Sequence, residues 1–229
     1  MNRTIQNTKA LKEKTKIFIV DDHPIVRQGL AELINQEEDL VVCGQAEDAA
    51  AAMAAVKKMG PGMIIVDISL RDTSGMELIK DLRVQFPRIP VLTLSMHDEF
   101  LYAERSLRAG AKGYVMKAEA TESVITAIRK VLSGQVYVSD KIAAKLVRKL
   151  VDGGPDIGTS AIDRLSDREL EVFLLIGQGY GTRQIAKKLC LSVKTIETYR
   201  AHIKEKLNLA SAAELLQYAI RWVGSQKPK

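Results

Sequence analysis

Short apolar runs alternate with longer amphipathic stretches over the first 135 residues of the chain. The runs are rich in Val and Ile and are bounded by charged residues, Gly or Pro, a pattern typical of strands buried on both faces of a sheet. Five such strands are predicted, at Lys16 to Val20, Leu40 to Cys43, Met63 to Val66, Val91 to Leu94 and Gly113 to Met116. Apolar residues at helical spacing predict the helices that follow them, at Pro24 to Asn35, Asp48 to Met59, Ser74 to Phe86, Glu99 to Ala109 and Glu122 to Leu132.

This strict alternation of strand and helix indicates an α/β fold with a doubly wound, five-stranded parallel sheet. Crossover helices make consecutive strands run parallel, and they cover both faces of the sheet. In such sheets, ligands bind outside the carboxyl ends of the strands, where the strand order reverses. Residues that directly follow a strand are therefore the first candidates for function.

The pattern becomes purely helical after residue 135. Apolar residues at helical spacing predict a connecting helix over Ser139 to Val151, and the Gly- and Pro-rich run from Asp152 to Gly158 predicts a hinge. Four further amphipathic helices are predicted, at Ser166 to Gln178, Thr182 to Cys190, Ser192 to Asn208 and Ser211 to Val223. The chain thus divides into an α/β domain at 16–135, a linker helix and hinge at 136–160, and a smaller all-α domain at 161–229.

Charge separates the same two parts of the chain. Residues 1–135 hold 18 Lys and Arg against 18 Asp and Glu, whereas residues 160–229 hold twelve against seven, or +5 of the total +6. A basic helical domain is expected where the partner is a polyanion, although a solvated basic surface gives the same count.

Two compositional features bear on where the protein works. No apolar run approaches the ~20 residues of a membrane span, and the first sixteen residues mix Lys, Arg and Glu without an apolar stretch. Cys43 and Cys190 lie far apart and form no CxxC pair, so both are expected to be reduced. We expect a cytoplasmic protein without a membrane segment.

Acidic residues follow two of the predicted strands. Asp21 and Asp22 come directly after the first strand, and Asp67 comes directly after the third. If both strands are central and parallel, the three carboxylates converge at one edge of the sheet. Clustered carboxylates need neutralisation, and an octahedral, oxygen-seeking Mg²⁺ is the simplest neutraliser. Single acids at strand ends more often solvate loops or cap helices, but three at matching ends favour a metal site.

Ser95 and Lys117 complete this set, because they end the fourth and fifth strands. A hydroxyl and an ammonium group facing a carboxylate-bound metal suit phosphoryl transfer, which depends on positioning and on neutralising charge. Asp67 is then the candidate nucleophile and forms an acyl phosphate. Thr93 lies inside the fourth apolar run and is expected to pack in the core.

Four motifs in this order resemble the receiver domain of two-component response regulators over about Lys16 to Leu132. The motifs are Asp21-Asp22-His23-Pro24, Ile64-Ile65-Val66-Asp67, Ser95-Met96-His97-Asp98 and Gly110-Ala-Lys-Gly-Tyr-Val-Met-Lys117. The resemblance implies a flavodoxin-like fold with Asp67 as phosphoacceptor and Lys117 paired with the phosphoryl group. It implies that Asp21, Asp22, Asp67 and the backbone carbonyl of Ser69 hold Mg²⁺. It also implies that Ser95 and Tyr114 are the switch pair, with Ser95 moving toward the phosphate and Tyr114 following inward.

The chain departs from the receiver pattern in two loops. Arg71 and Ala118 stand where many receivers have Pro, which puts the local loop geometry in doubt, since a cis peptide bond before Ala118 would be unfavourable. Ser69 and His97 occupy positions that flank the path of the hydrolytic water in receivers. They are expected to affect the lifetime of the phosphoryl group, unless His97 is an ordinary exposed loop residue.

The segment from Gln184 to Arg200 has the pattern of a helix, a tight turn and a second helix. Ile185 and Leu189 are expected to bury the first helix, and Ser192 is a favourable N-cap for the second. Such a second helix suits the DNA major groove, where phosphate contacts position it and a few side chains read base edges. A small bundle with a solvated basic face is the alternative.

A longer match argues against a small bundle with a solvated basic face. The chain resembles the LuxR-type DNA-binding domain over about Leu165 to Val223. It rests on Leu165-Ser-Asp-Arg-Glu-Leu-Glu-Val, Gly177-Gln-Gly, Ile185-Ala, Leu191-Ser-Val-Lys-Thr-Ile-Glu-Thr-Tyr-Arg and Lys206-Leu. Joined to a receiver, it is similar to the NarL/FixJ family. The resemblance places Glu197, Thr198 and Ala201 toward bases. It implies that five residues contact DNA phosphates, namely Arg183, Lys194, Thr195, Arg200 and Lys204. Arg200 is also suited to stabilise the fold instead.

The final helix resembles the family's dimerisation helix, with Leu215, Tyr218 and Trp222 as contacts; alternatively, Leu215 and Trp222 complete the core. As a whole, the sequence predicts a phosphorylation-switched transcription regulator and not an enzyme acting on other molecules. The resemblance implies a sensor histidine kinase as phosphodonor. It also implies a phosphorylated homodimer on double-stranded DNA, with half-sites ~34 Å apart.

Two other functions stay open. One is a constitutive DNA-binding regulator with a vestigial receiver, which the complete set of site residues argues against. The other is a phosphohydrolase with an Asp nucleophile on a similar fold. It would place a second acid where Ser69 stands, and it would have no use for a DNA-binding half.

Overall fold

The computed structural model describes residues 13–70, 74–151 and 161–225. These residues form two compact units. One is built on a sheet and comprises residues 13–70 and 77–139, and the other comprises residues 74–76 and the helical part from Asp140 onward. The predicted hinge at Asp152 to Gly158 and the departure at Arg71 lie outside the described residues.

The first unit confirms the predicted fold class. Its five strands are all parallel and lie in the order β2-β1-β3-β4-β5. The strands are β1 (Thr15–Val20), β2 (Leu40–Ala46), β3 (Met63–Asp67), β4 (Val91–Ser95) and β5 (Gly113–Met116). Its helices are α1 (Pro24–Asn35), α2 (Ala49–Met59), α3 (Gly75–Gln85), α4 (Glu99–Ala109) and α5 (Ala120–Leu132).

Every residue of β3 and β4 is buried. This explains why Met63–Val66 is an unbroken apolar run and why Thr93, which interrupts the apolar run of β4, is itself buried. One face of the sheet packs against α1 and α5 through a single hydrophobic cluster. Leu30, Ile34, Val124 and Ile128 supply the helical side of it. Because strands are placed by this burial, the polar residues that end β3 and β4 are held at fixed positions.

The strand predictions are correct in number and order. Each of β1, β3 and β4 is one residue longer than predicted, by Thr15, Asp67 and Ser95 respectively, and β2 differs most. β2 continues three residues beyond the predicted Cys43, to Ala46. The apolar run is broken at Gly44 and Gln45, but β2 is an edge strand, where pairing to β1 continues with a register shift between Ile17 and Phe18. A polar residue on an edge strand faces solvent at little cost, so hydrophobicity alone does not mark its end.

The second unit is helical. Its helices are α6 (Asp140–Val151), α7 (Asp167–Gly177), α8 (Thr182–Lys188), α9 (Val193–Lys206) and α10 (Ala212–Ser225). Short 3-10 helices occur at Ala161–Arg164 here and at Lys117–Glu119 in the first unit. Ser166 and Glu169 form a capping box that starts α7, and Phe173, at the centre of this helix, is fully buried.

Candidate functional site

Three charged side chains meet at the carboxyl edge of the sheet. The Lys117 Nζ lies 2.6 Å from Oδ2 of Asp67 and 2.6 Å from Oδ2 of Asp21. Asp67 ends β3, which lies between β1 and β4, whereas Lys117 directly follows β5. The three side chains are 7% exposed or less, so a cation and two carboxylates share one nearly dry site. The convergence expected from the strand ends is present.

Burial and charge together set the pKa of these groups. Burial raises the pKa of Asp67, Lys117 opposes the rise, and Asp21 adds to it, with a net increase. Burial alone would lower the pKa of Lys117, but Asp67 and Asp21 raise it above its ordinary value. Lys117 is therefore a fixed positive charge at neutral pH.

Asp22 and His23 extend the cluster toward solvent. The His23 Nδ1 lies 2.7 Å from an oxygen of Asp22, and the His23 backbone N–H donates to Asp21 at 2.8 Å. One ligand atom from each of Asp21, Asp22, His23 and Asp67 lies within 4.8 Å of the others. Carboxylate oxygens in this number and spacing are the donor set of a hard divalent cation, so the residues fit Mg²⁺.

His97 connects the residues around Asp67. The Nε2 of its ring lies 2.8 Å from the Ser69 hydroxyl, and its ring stacks on Tyr102 with centroids 4.5 Å apart. Its backbone N–H donates to the Ser95 hydroxyl at 3.0 Å, and its carbonyl accepts from the Tyr114 hydroxyl at 2.8 Å. His97 is therefore partly buried and in contact with several residues of the site, and it is not an ordinary exposed loop residue. The resemblance to receiver domains singled out Ser69 and His97, but the contacts of His97 follow only from the fold.

The predicted switch residues lie on neighbouring strands. Ser95 is fully buried, and Tyr114 is 2% exposed with its ring already turned inward. Burial is the main cause that raises the pKa of Tyr114, which keeps its hydroxyl protonated as a donor. Thr93, two residues before Ser95 in β4, is fully buried as predicted, and its hydroxyl forms a hydrogen bond with the Ser106 hydroxyl of α4.

The loop at Ala118, where Pro was expected from the receiver pattern, has a simple structure. The Lys117–Ala118 peptide bond is trans, and Lys117 begins the 3-10 helix that leads into α5. The departure from Pro therefore leaves Lys117 directed at Asp67.

The second unit contains the predicted helix, turn and helix. Ser192 caps α9 by accepting from the Thr195 backbone N–H at 3.0 Å, as its position predicted. Ile185 and Leu189 are buried, and Ile196 and Ile203 fix the inner side of α9. Cys190 makes the turn with a positive φ of 54°.

The residues predicted to contact DNA lie on the outer surface of α8 and α9. Arg183, Lys194, Glu197, Thr198 and Ala201 are exposed. Thr195, Arg200 and Lys204 are partly buried. The exposed set leaves the N-terminal part of α9 uncovered, as a helix in a major groove requires.

The three predicted dimer contacts of α10 differ in exposure. Leu215 is fully buried, whereas Tyr218 and Trp222 are partly buried and pack on Phe173 with ring centroids 6.0 and 5.8 Å away. Leu216 and Ile220, which sequence reasoning did not select, are 41% and 48% exposed and lie one turn apart. Only the packing of α10 on α7 distinguishes these positions.

Comparison with known families and proteins gives a consistent result. Residues 17–129 match the response regulator receiver domain, and residues 163–219 match the luxR family of bacterial regulatory proteins. The chain is 39% identical to the oxygen regulatory protein NreC of Staphylococcus carnosus strain TM300, over 90% of this chain and 97% of that protein. NreC of Staphylococcus aureus strain JH9 is 38% identical over the same shares.

Solved structures with similar folds belong to DNA-binding regulators. The two-component response regulator RcsB in complex with DNA is 27% identical, with a TM-score of 0.61 over 90% of this chain and 99% of that one. RcsB of Salmonella enterica serovar Typhimurium bound to the rprA promoter with phosphomimetic BeF₃⁻ is 28% identical, with a TM-score of 0.60 over 91% and 99%.

Among the residues that the structure describes, none of the helices combines the length and apolar character needed to cross a bilayer.

Proposed function

The chain belongs to the NarL/FixJ family of two-component response regulators, which are phosphorylation-dependent transcription regulators, and we propose that Asp67 is the residue that accepts the phosphoryl group. The observation that carries this proposal is the Asp67 carboxylate, buried at the end of β3 and 2.6 Å from the Lys117 ammonium. An acid in this position is fixed and partly neutralised, which suits a nucleophile toward an anionic phosphoryl group.

The phosphodonor would be a phosphohistidine of a sensor histidine kinase. An oxygen of Asp67 forms a bond to phosphorus as the bond from phosphorus to the histidine nitrogen breaks, and the imidazole leaves with that electron pair. The product is an acyl phosphate on Asp67. Lys117 would neutralise one of its oxygens, and hydrolysis later restores the carboxylate, so the chemistry concerns only this residue.

Asp21, Asp22, Asp67 and the backbone carbonyl of Ser69 would hold Mg²⁺. When bound, the ion supplies charge neutralisation between these carboxylates and the phosphoryl oxygens. The position of Asp21 is supported on a second side, because Arg27 donates to its backbone carbonyl.

The hydroxyl of Ser95 would then move from the His97 backbone N–H, its present partner at 3.0 Å, toward the phosphoryl group. The same residue His97 holds the Tyr114 hydroxyl through its carbonyl. A change at Ser95 therefore acts on the residue that fixes Tyr114. The phosphoryl group shifts the population only as far as it binds one of the two arrangements more strongly.

His97 and Ser69 would also set the lifetime of the phosphoryl group. Their side chains are joined at 2.8 Å, and the Ser69 backbone N–H donates to Asp67 at 3.2 Å. A ring that stacks on Tyr102 and is bonded to Ser69 would lie beside the acyl phosphate and would restrict the approach of water. Replacing His97 with Ala is expected to shorten the lifetime.

The α9 helix would read DNA in the major groove. Glu197, Thr198 and Ala201 would face base edges, where a carboxylate is suited to accept from a cytosine amino group. Arg183, Lys194, Thr195, Arg200 and Lys204 would contact phosphates. These roles are supported by the exposure of the N-terminal part of α9 and by the basic charge of residues 160–229.

A homodimer would place two such helices on two half-sites. For the dimer contact we propose α10, where the partly buried rings of Tyr218 and Trp222 adjoin solvent and where Leu216 and Ile220 are exposed. Leu215 would support this helix from the core of its own domain. The RcsB structures that resemble this chain include two dimers bound to two parallel DNAs.

The test is the intact mass of the protein after incubation with Mg²⁺ and a small-molecule phosphodonor, with Asp67→Asn as the matched control. One added phosphoryl group in the wild type and none in the variant is expected. An unmodified wild type, under conditions where another receiver reacts, would indicate a vestigial receiver. Turnover of generic phosphoesters would support the phosphohydrolase instead.

A further inference from the structure

The free edge of β5 is covered by the chain that follows α5. Gly134, with a positive φ of 85°, reverses the chain after α5 and is closed by a bond from the Gln135 backbone N–H to the Lys130 carbonyl. The next residues run parallel to β5 and pair with it at Gly113 and Tyr137. We call residues 136–138 the strap.

Two backbone hydrogen bonds attach the strap to β5. The Tyr137 N–H donates to the Lys112 carbonyl at 3.0 Å, and the Tyr114 N–H donates to the Tyr137 carbonyl at 2.8 Å. The Tyr137 ring packs against the hydrophobic cluster, with the Lys130 ammonium 5.5 Å from its centre. One of the two bonds therefore ends on the backbone of Tyr114 itself.

Gly113 is the residue that lets the strap approach. A Cβ at this position would lie 3.0 Å from the Tyr137 carbonyl oxygen, 3.1 Å from the Tyr137 Cβ and 2.8 Å from a methyl group of Leu92. These distances are shorter than ordinary contacts, and two of them involve Tyr137, the residue that anchors the strap. Glycine is needed here for space, not for an unusual backbone angle.

Tyr114 is thus held from two sides. Its hydroxyl donates to the His97 carbonyl in the loop after β4, and its N–H donates to Tyr137 in the strap. The strap ends where α6 begins, since Asp140 is three residues beyond Tyr137. We infer that the strap is the output element of the receiver: the inward position of Tyr114 and the pairing of Tyr137 stabilise each other, and phosphorylation strengthens both.

This inference rests on the proposed phosphorylation of the receiver, and it has a direct physical consequence. Coupling between two contacts is reciprocal, so loosening the strap must weaken the response to phosphate, and loosening Tyr114 must weaken the strap. The strap would pass the change at His97 to the start of α6 without any further contact.

Hydrogen exchange of single amides in the full-length protein tests the coupling, with Mg²⁺ and beryllofluoride as the probe. Exchange at Tyr114 and Tyr137 should slow by about tenfold relative to exchange at Lys112. The Lys112 N–H is the control, because it donates to Val91 inside the sheet and not to the strap. In Tyr114→Phe, which loses only the hydroxyl, the Tyr137 amide should exchange faster than in the wild type.

A second measurement uses Gly113→Ala and the gain in DNA affinity that beryllofluoride produces at fixed salt. This variant should bind beryllofluoride and lose most of the gain, which is about 5- to 150-fold for coupling of ordinary strength. Gly44→Ala is the matched control, because Gly44 lies on β2, the opposite edge strand. Its Cβ would be equally crowded, at 2.6 Å from Phe18 and 2.8 Å from Met59. It should keep the gain.

Two results separate the strap from the proposed function. If the wild type gains DNA affinity but the exchange rates of the Tyr114 and Tyr137 amides change no more than that of Lys112, only the inference about the strap is overturned. A Gly113→Ala protein with the full gain does the same. A wild type that neither binds beryllofluoride nor gains affinity overturns the proposed function, and the strap with it.

Discussion

The ammonium group of Lys117 lies 2.6 Å from a carboxylate oxygen of Asp67, across the carboxyl ends of β5 and β3. Asp21 is at the same distance from Lys117. One ammonium group therefore faces two buried acids and neutralises them only in part, and the third acid, Asp22, lies beside His23. This charge arrangement explains how the site is stable before phosphorylation and why its stability must depend on cations.

Replacing Lys117 with Met should destabilise the receiver. The substitution leaves Asp21 and Asp67 buried without their cation, and breaking a buried pair in this way costs about 3–5 kcal/mol. Mg²⁺ should restore part of the loss and stabilise the variant more than the wild type. Urea unfolding with and without Mg²⁺ measures both effects, and Lys112→Met, at an exposed position, is the control. Equal stability of Lys117→Met and wild type would contradict the account.

Acid should unfold the second unit partly through Glu169. Burial would raise the pKa of this carboxyl, but hydrogen bonds from Lys206 at 2.6 Å and from the Ser166 N–H at 2.7 Å lower it below its ordinary value. Because the native pKa lies below the unfolded one, about 4.3, this stabilisation is complete above the unfolded pKa. It is lost as the pH falls through the native value.

The variant Glu169→Gln keeps an acceptor for Ser166 but loses the charge. It should be less stable than the wild type at neutral pH, and the difference should shrink as the pH falls below about 4.3. Trp222 is the only Trp of the chain and packs on Phe173, so its fluorescence reports unfolding of this unit. A constant difference between the two proteins at all pH values would speak against the assigned role.

Replacing Cys190 with Asn should stabilise the second unit by about 0.5–1 kcal/mol, because Cys190 has a φ of 54° and Asn tolerates this conformation better. Asn208 has the same φ and supplies the reverse control, since Asn208→Cys should destabilise by a similar amount. Urea unfolding followed by Trp222 fluorescence checks both. Shifts of the same sign in the two variants would refute the explanation.

Lys194→Ala should weaken DNA binding by a similar factor for all sequences and reduce the slope of log affinity against log salt by about 1. Glu197→Ala should instead change the preference among bases, and the slope of log affinity against log salt should not decrease. Titrations of specific and unrelated DNA at several salt concentrations distinguish the two. Lys57→Ala, on the exposed surface of α2, is the control. An unchanged slope in Lys194→Ala would remove its phosphate contact.

Much of this molecule could be predicted because its signals are local. Apolar runs predict all five strands, and the residues at their ends include Asp21, Asp67, Ser95 and Lys117. The start of α9 followed from one capping residue, Ser192. In each case the signal lies in neighbouring residues: the acids, Ser95 and Lys117 stand at the ends of apolar runs, and Ser192 precedes an amphipathic helical pattern.

The unpredicted features depend on residues that are distant in sequence. His97 has partners on four other elements or loops, and no spacing rule connects them. The strap is a single backbone pairing at Tyr137, which leaves no periodic pattern. In α10 the sequence pattern does not separate Leu215, which is buried, from Leu216, which is exposed, because both are apolar and only the packing on α7 decides. The domain boundaries and the roles of the site residues stay predictions.

The most direct test of the central claim is the DNA affinity of the full-length protein at one fixed salt concentration, before and after phosphorylation, in the wild type and in Asp67→Asn. Fixed salt is required because the electrostatic part of the affinity varies steeply with it. The account predicts tighter binding by the phosphorylated wild type and no change in the variant treated in the same way. Equal affinity of the phosphorylated and unphosphorylated wild type, with the phosphoryl group confirmed on Asp67, would contradict it.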